Sequence, residues 1–104
     1  MFIGDRRVFD EVFTETTISA NAKTVSIIGI TSLDELVDKV MYLKAGSANT
    51  GAVTLNVNGY GATDLMKYSK AGLVALEANN IIEGQICILT YDGTKFILLN
   101  SVEK

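Results

Sequence analysis

Apolar and polar residues alternate strictly through Val53-Thr54-Leu55-Asn56-Val57, the pattern of a β-strand with one buried face. Asn58-Gly59 follows this run, and the dipeptide favours a type I′ turn because both central positions need a positive φ. The run therefore predicts a β-hairpin with a two-residue loop. The predicted pairs are Val57–Tyr60, Leu55–Ala62 and Val53–Asp64. The second face of this hairpin, which we expect to meet solvent or a polar ligand, carries Thr54, Asn56, Gly61 and Thr63.

A second hairpin is predicted around Asp92-Gly93, between residues 84–91 and 94–99. A two-residue loop places Tyr91 opposite Thr94 and Leu89 opposite Phe96. Both faces of this strand pair are then apolar, which requires cover on both sides. One face carries Cys87, Leu89, Phe96 and Leu98, and the other carries Ile86, Ile88, Ile97 and Leu99.

Weaker patterns predict strands over 24–30, 39–45 and 73–76, with Gly29 as a kink. Ser32 and Glu35 have the spacing of a capping box, which predicts a short helical turn. Val, Ile and Thr together contribute 29 residues, a composition that favours strands. The prediction is an all-β, antiparallel sandwich or jelly-roll-like domain over residues 21–104. Residues 1–20 are predicted to form an N-terminal arm or attachment segment.

Composition excludes several classes of protein. The chain of 104 residues is one ordinary domain, and its net charge of -3 argues against binding to nucleic acid. It has no His, the usual general base and metal ligand, and a single Cys, which excludes an internal disulfide. No segment approaches the ~20 apolar residues that cross a bilayer, so we expect no membrane insertion.

Hydrophobic residues form 48% of the chain, more than one small core can cover. The second apolar face of the C-terminal hairpin therefore predicts cover by the N-terminal arm or by another protein, most simply another copy of the chain. The predicted interface residues are Ile86, Ile88, Ile97 and Leu99. A tightly packed monomer is the alternative.

Residues 49–62 read NTGAVTLNVNGYGA, and this segment resembles one that recurs in bacteriophage tail fibres, baseplate appendages and head fibres. In that family an NTGAxTLNVNGxGA segment precedes a Gly-Gln-Ile strand and a YDGTxF hairpin, which correspond here to residues 84–86 and 91–96. The resemblance covers about residues 24–100. Family members often carry Lys-Pro where this chain has Thr63-Asp64, so the local turn can differ. The resemblance implies an all-β virion domain, commonly trimeric and sometimes bound to host-surface saccharide.

Two groups of polar residues at the hairpins are candidate ligand contacts. Amides, hydroxyls and a tyrosine ring suit a saccharide, whereas turn chemistry explains the same residues without any ligand. The candidates are Asn49, Thr50, Asn56, Asn58, Tyr60 and Thr63 in the first hairpin and Tyr91 and Asp92, with Lys95, at the tip of the second.

Catalytic chemistry has little support in the sequence. Asp34, Glu35 and Asp38 have the spacing of a solvated helical face rather than of a carboxylate pair across a cleft. Cys87 lies in an apolar strand without a basic neighbour, which is typical of a small buried hydrophobe. We therefore expect no enzyme, no cofactor and no metal site.

The resemblance implies that this non-catalytic chain is a structural domain of a phage particle, of the tail-fibre or appendage type and involved in host attachment. The expected location is the virion, and the expected partners are two further copies, other virion proteins and a host saccharide. A head-fibre or capsid decoration protein that binds only virion proteins is one alternative. A carbohydrate-binding module is another.

Overall fold

The computed structural model describes residues 11–103, and these residues form eight strands and one helical turn. The strands are β1 (Val12–Thr14), β2 (Ala22–Val25), β3 (Val40–Lys44), β4 (Val53–Val57), β5 (Ala62–Ser69), β6 (Gly72–Ala75), β7 (Ile86–Tyr91) and β8 (Phe96–Leu98). The turn is a 3-10 helix over Leu33–Leu36. The prediction of an all-β fold with a short helical turn is confirmed.

All eight strands belong to one mixed sheet rather than to two stacked antiparallel sheets. The order is β1-β3-β7-β8-β5-β4-β2, and β6 pairs with β5. Three of the pairs, β1–β3, β2–β4 and β5–β8, are parallel. The jelly-roll detail is not confirmed. Local alternation predicts strands but carries no information about the direction of strands that meet from distant parts of the chain.

The sheet curls until its two edges meet. Glu15, directly after β1, forms a bridge with Val25 of β2, and the Thr16 amide donates to the Thr24 carbonyl at 2.9 Å. This seam nearly closes the sheet into a small barrel. Closure removes most of the unpaired edge that an open sheet would leave. Val12–Thr14, within the segment predicted as an arm, pairs with β3 in the sheet.

Inward-facing side chains of the strands and their connections fill the barrel. Leu55, Leu89 and Phe96 are completely buried, and Phe13 packs against the same cluster from β1. The rings of Tyr91 and Phe96 lie 4.8 Å apart between centroids. The predicted burial of Val53, Leu55 and Val57 on one face, and of Cys87, Leu89, Phe96 and Leu98 on one face, is confirmed.

One end of the barrel interior holds a buried ion pair. The Lys23 ammonium lies 3.1 Å from the Glu15 carboxylate, and both side chains have no exposed surface. Lys23 Nζ also donates to the carbonyls of Ser19 and Ser47, which uses all three of its donors. The carboxylate accepts further bonds from the amides of Ser19 and Gly46. The pair thus ties the closing seam to the segment after β3.

The predicted register of the first hairpin is wrong by one residue. Asn58 and Gly59 do have positive φ values of 55° and 77°, and the Tyr60 amide donates to the Val57 carbonyl. Gly61 (φ 119°) then adds a residue, so that Val53 faces Leu65 instead of Asp64 and Leu55 faces Thr63 instead of Ala62. Such a bulge changes the register after a turn that is itself correctly predicted. Because the slip is odd, the predicted faces of β5 are also wrong: Thr63 and Leu65 lie on the side of Leu55 and Val53, and Ala62 and Asp64 are exposed.

The predicted register of the second hairpin is wrong by two residues. Leu89 pairs with Leu98 and Tyr91 pairs with Phe96, because the loop spans Asp92 to Lys95 rather than two residues. The Asp92 carboxylate accepts the amides of Thr94 and Lys95 and stabilises this wider loop. A register shift by an even number of residues keeps each side chain on its predicted face. The predicted faces of this hairpin are therefore correct although the register is not.

The helical turn begins without the predicted capping box. Ser32 makes no side-chain cap. Glu35 reaches one residue further back and accepts bonds from the Thr31 amide and hydroxyl. The hydroxyl bond, with the amide bond second, lowers the pKa of Glu35 below its usual value.

Candidate functional site

The two predicted hairpin tips lie at the same end of the barrel. Because β5 and β8 run parallel with Leu65 opposite Phe96, the turn before β5 and the loop before β8 emerge together. Lys95 of that loop forms an ion pair with Asp64 at 3.2 Å. The fold therefore brings both groups of candidate ligand residues to one end, as a saccharide site would require.

Asn58 uses its whole side-chain amide inside the protein. Its Oδ1 accepts the Ile27 amide at 2.6 Å, and its Nδ2 donates to the Ile27 carbonyl at 2.8 Å. These bonds hold the segment after β2 against the hairpin turn. Asn58 therefore has a structural role, and it also lines a cleft beside the first hairpin.

Replacing Asn58 with alanine is expected to destabilise the protein by about 2–3 kcal/mol, since it leaves both polar groups of Ile27 without partners. Asn79 is the matched control, because its φ is 65° and its side chain is exposed. Asn79→Ala should reduce stability only by the strain of placing alanine in the left-handed backbone region, about 1 kcal/mol. Urea unfolding of both variants measures the difference, and equal losses would contradict the structural role of the Asn58 amide.

Tyr60 and Thr63 lie near the same turn but make different contacts. The Tyr60 hydroxyl donates to the Ile30 carbonyl at 3.0 Å, while 44% of the residue stays exposed. The Thr63 hydroxyl is 3.5 Å from the Gly61 carbonyl. The Asn56 Oδ1 accepts the Gly61 amide at 3.2 Å, and its amide nitrogen is without a hydrogen bond to the described residues. Asn56 thus retains donors for a ligand.

Tyr91 and Asp92 stabilise the second loop. Tyr91 is buried, with its ring against Phe96 and its hydroxyl donating to the Gly93 carbonyl. Asp92 is exposed, and its pKa is lowered by the bonds that its carboxylate accepts from the amides of Lys95 and Thr94. An exposed, ionised Asp92 remains available at the surface, whereas the Tyr91 ring does not.

The Asn49 side chain is buried and makes internal hydrogen bonds, so it is not available as a surface contact. The residue is 1% exposed, and its side chain bonds to the carbonyls of Gly51 and Glu77 and to the amide of Ile81. Thr50 is exposed and pairs with Asn21. The family-like segment therefore begins with residues that serve folding.

Sequence reasoning missed a cleft of about 470 Å³ beside the first hairpin. It lies where the closing seam, the end of β2 and the end of β4 converge. We call it the hydroxyl cleft, and its polar lining is Thr16, Thr17, Thr24, Ser26, Asn56 and Asn58. No local pattern marks the first four residues, because the parallel pairing of β2 with β4 brings Thr24 and Ser26 beside Asn56, and closure at the seam adds Thr16 and Thr17.

A larger cleft of about 580 Å³ lies at the opposite end, near the C-terminus. Its polar groups serve internal bonds: the Asn80 amide joins Glu77 to Val102, and Lys67 pairs with Glu103 at 3.0 Å. This cleft holds the C-terminal segment in place and offers few free groups.

The outer surface of β1, β3, β7, β8 and the residue after β8 carries a group of apolar side chains, with Thr14, Lys44 and Thr90 on the same face. We call it the outer wall, and it consists of Val12, Val40, Tyr42, Ile86, Ile88, Ile97 and Leu99. Tyr42 pairs with both Val12 and Ile88, and the Leu99 amide donates to the Ile88 carbonyl, so these side chains are neighbours.

Exposure differs among the four predicted interface residues. Ile86 is 40% exposed, Leu99 is 46% exposed and Ile88 is partly exposed. Ile97 is 3% exposed, flanked in register by Thr90 and Met66, so it offers little surface to a partner. Ile86 and Leu99 therefore present the largest free surface of the predicted set.

The buried position of Cys87 makes its thiol a poor nucleophile. The residue is 1% exposed, and burial raises the pKa of its thiol to about 11. Across residues 11–103, no three His, Cys, Asp or Glu side chains come together in a way that could hold a metal ion. These findings give no support to nucleophilic or metal-dependent chemistry at the described residues.

None of the helical structure between residues 11 and 103 has the length and apolar character needed to cross a membrane. A scan of protein-family models found no match to the chain, and a search of curated proteins found none either. The resemblance to phage virion domains therefore stays a prediction.

Proposed function

We propose that this chain is a non-catalytic structural domain of a bacteriophage particle, of the tail-fibre or appendage type. In this role it assembles as a homotrimer in the virion and takes part in host attachment. The observation that carries the proposal is the outer wall, which leaves Val12, Val40, Ile86 and Leu99 between 38% and 49% exposed on neighbouring strands. The head-fibre or decoration role is the alternative within the same particle.

The chemistry of the outer wall supports a protein partner. Its residues carry no charge, and depletion of charge at the centre of a patch is the compositional mark of a protein interface. Lys44 lies at its border, next to Ile86 in the register of β3 and β7. A patch with an apolar centre and polar borders can pack against another copy of the chain, because no like charges are brought together at the centre of the contact.

Light scattering of the intact chain tests the assembly. The expected mass at micromolar concentration is three times the chain mass of 11.2 kDa. Ile86→Asp should reduce it to a single chain, because the carboxylate would be buried without a partner. Ile28→Asp is the matched control, since Ile28 is 81% exposed outside the wall and its replacement should leave the mass unchanged.

A single-chain mass for the wild type overturns the trimer, and an unchanged mass for a folded Ile86→Asp variant overturns the outer wall as its interface. Mass spectrometry of purified particles tests the location, because a virion protein must be present in them. Binding of the purified protein to host cells separates the two roles. A role in host attachment requires binding to host cells, whereas a decoration protein binds only to the particle.

A further inference from the structure

We infer that the hydroxyl cleft is a binding site for a neutral saccharide, with Thr16, Thr17, Ser26 and Asn56 as the contacting residues. The inference deepens the host-attachment role proposed above and rests on it only for its biological setting.

Side-chain groups without hydrogen bonds to the described residues belong to the lining of the cleft. The side-chain hydroxyls of Thr16, Thr17 and Ser26 make no hydrogen bond to any described residue, and all three residues are exposed. The Asn56 amide nitrogen is likewise free, while its oxygen is held by Gly61. A hydroxyl both donates and accepts, and an amide nitrogen donates twice. Sugar hydroxyls need this mixture of groups.

The walls of the cleft are held by bonds that do not involve these groups. The Thr17 amide donates to the Thr24 hydroxyl at 3.1 Å, and the Asn58 amide donates to the Val25 carbonyl at 2.9 Å. Asn58 also ties its turn to Ile27. The three segments therefore hold their relative positions before a ligand arrives, which lowers the entropic cost of binding.

The lining excludes other classes of ligand. All its side chains are uncharged, so nothing in it compensates the charge of a phosphate, a carboxylate or a metal ion. It has no aromatic ring on which a nucleobase could stack. A peptide cannot add as a strand here, because the seam at Glu15 and Thr16 already covers that edge of β2. Its volume of about 470 Å³ lies in the usual range for small-ligand sites.

Titration of the intact, isotopically labelled chain by amide NMR tests the site. The probes are glucose, galactose, mannose, rhamnose, N-acetylglucosamine and their common disaccharides, up to about 50 mM, enough to detect a millimolar affinity. At least one sugar should shift the amides of residues 16–17, 24–27 and 56–59. Glycerol and inorganic phosphate at the same concentration are the control ligands and should not.

Three variants assign the contacts. Asn56→Asp keeps an oxygen for the Gly61 amide but loses both donors, and it should weaken binding at least tenfold. Thr16→Val exchanges one free hydroxyl for a methyl group of similar shape and should also weaken binding. Thr94→Val, at the exposed tip of the second hairpin, is the matched control and should bind as the wild type does.

The inference is overturned if no sugar in the panel shifts these amides, if the shifts map to another surface, or if the folded Asn56→Asp and Thr16→Val variants bind as tightly as the wild type. Failure of the cleft and failure of the proposed function are distinguishable. If the chain is a trimer in virions but binds no sugar, only the saccharide site in the cleft is contradicted. If the chain binds sugar but is absent from purified particles, only the proposed virion role is contradicted.

Discussion

Lys23→Met should destabilise the protein by about 3–5 kcal/mol, because it leaves the Glu15 carboxylate buried and charged without its partner. A domain of this size has about 5–15 kcal/mol of stability in total, so the variant should unfold at a much lower urea concentration. Lys95→Met is the matched control. Lys95 and Asp64 lie 3.2 Å apart, almost the same distance as the buried pair, but their side chains are 36% and 58% exposed. Loss of that surface pair should cost less than about 1 kcal/mol.

The double variant Lys23→Met/Glu15→Gln separates the charge from the packing. It removes the isolated carboxylate while keeping an acceptor for the amides of Ser19 and Gly46. We expect it to be more stable than Lys23→Met alone, which gives a measurable coupling between the two sites. If Lys23→Met costs no more than Lys95→Met, the buried pair is not what holds the barrel seam.

Leu98→Ala and Leu99→Ala should differ strongly although the two residues are adjacent. Leu98 is 2% exposed and points into the barrel, so its truncation leaves a cavity and should cost about 2–5 kcal/mol. Leu99 is 46% exposed on the outer wall, and its truncation should cost the single chain less than about 1 kcal/mol.

Urea unfolding at two protein concentrations measures both effects. Stability that comes from self-association depends on concentration, whereas the cavity cost does not. Leu99→Ala should therefore reduce the concentration dependence, and Leu98→Ala should leave it unchanged. Similar losses in both variants, at any concentration, would contradict the assignment of the two faces.

The faces of β4, β7 and β8 were predictable, whereas the registers of both hairpins, and the faces of β5 with the first register, were not. Alternation of apolar and polar residues is a property of neighbours in the chain, and it placed Leu55 and Leu89 in the core correctly. Register depends on how many residues a turn absorbs. Gly61 adds one to the first turn, and the Asp92 side chain widens the second loop by two.

The candidate site was only partly predictable, for a related reason. Asn56 was a sound candidate from its position on the polar face of a strand. Thr16 and Ser26 carry no motif. Thr16 joins Asn56 through closure at the seam, and Ser26 joins it through the parallel pairing of β2 with β4. Tyr91 looked like an exposed tip residue, but the wider loop turns its ring onto Phe96.

Local sequence pattern is thus enough to specify an all-β chain, the turns at Asn58-Gly59 and Asp92-Gly93, and the inner and outer faces of β4, β7 and β8. These properties arise from backbone preferences and from alternation between neighbouring residues, which act over a few positions. The parallel pairings, the buried Lys23–Glu15 pair and the hydroxyl cleft depend on segments that are distant in the chain. They exist because closing the barrel brings those segments together, and no short-range preference encodes which distant strands will meet.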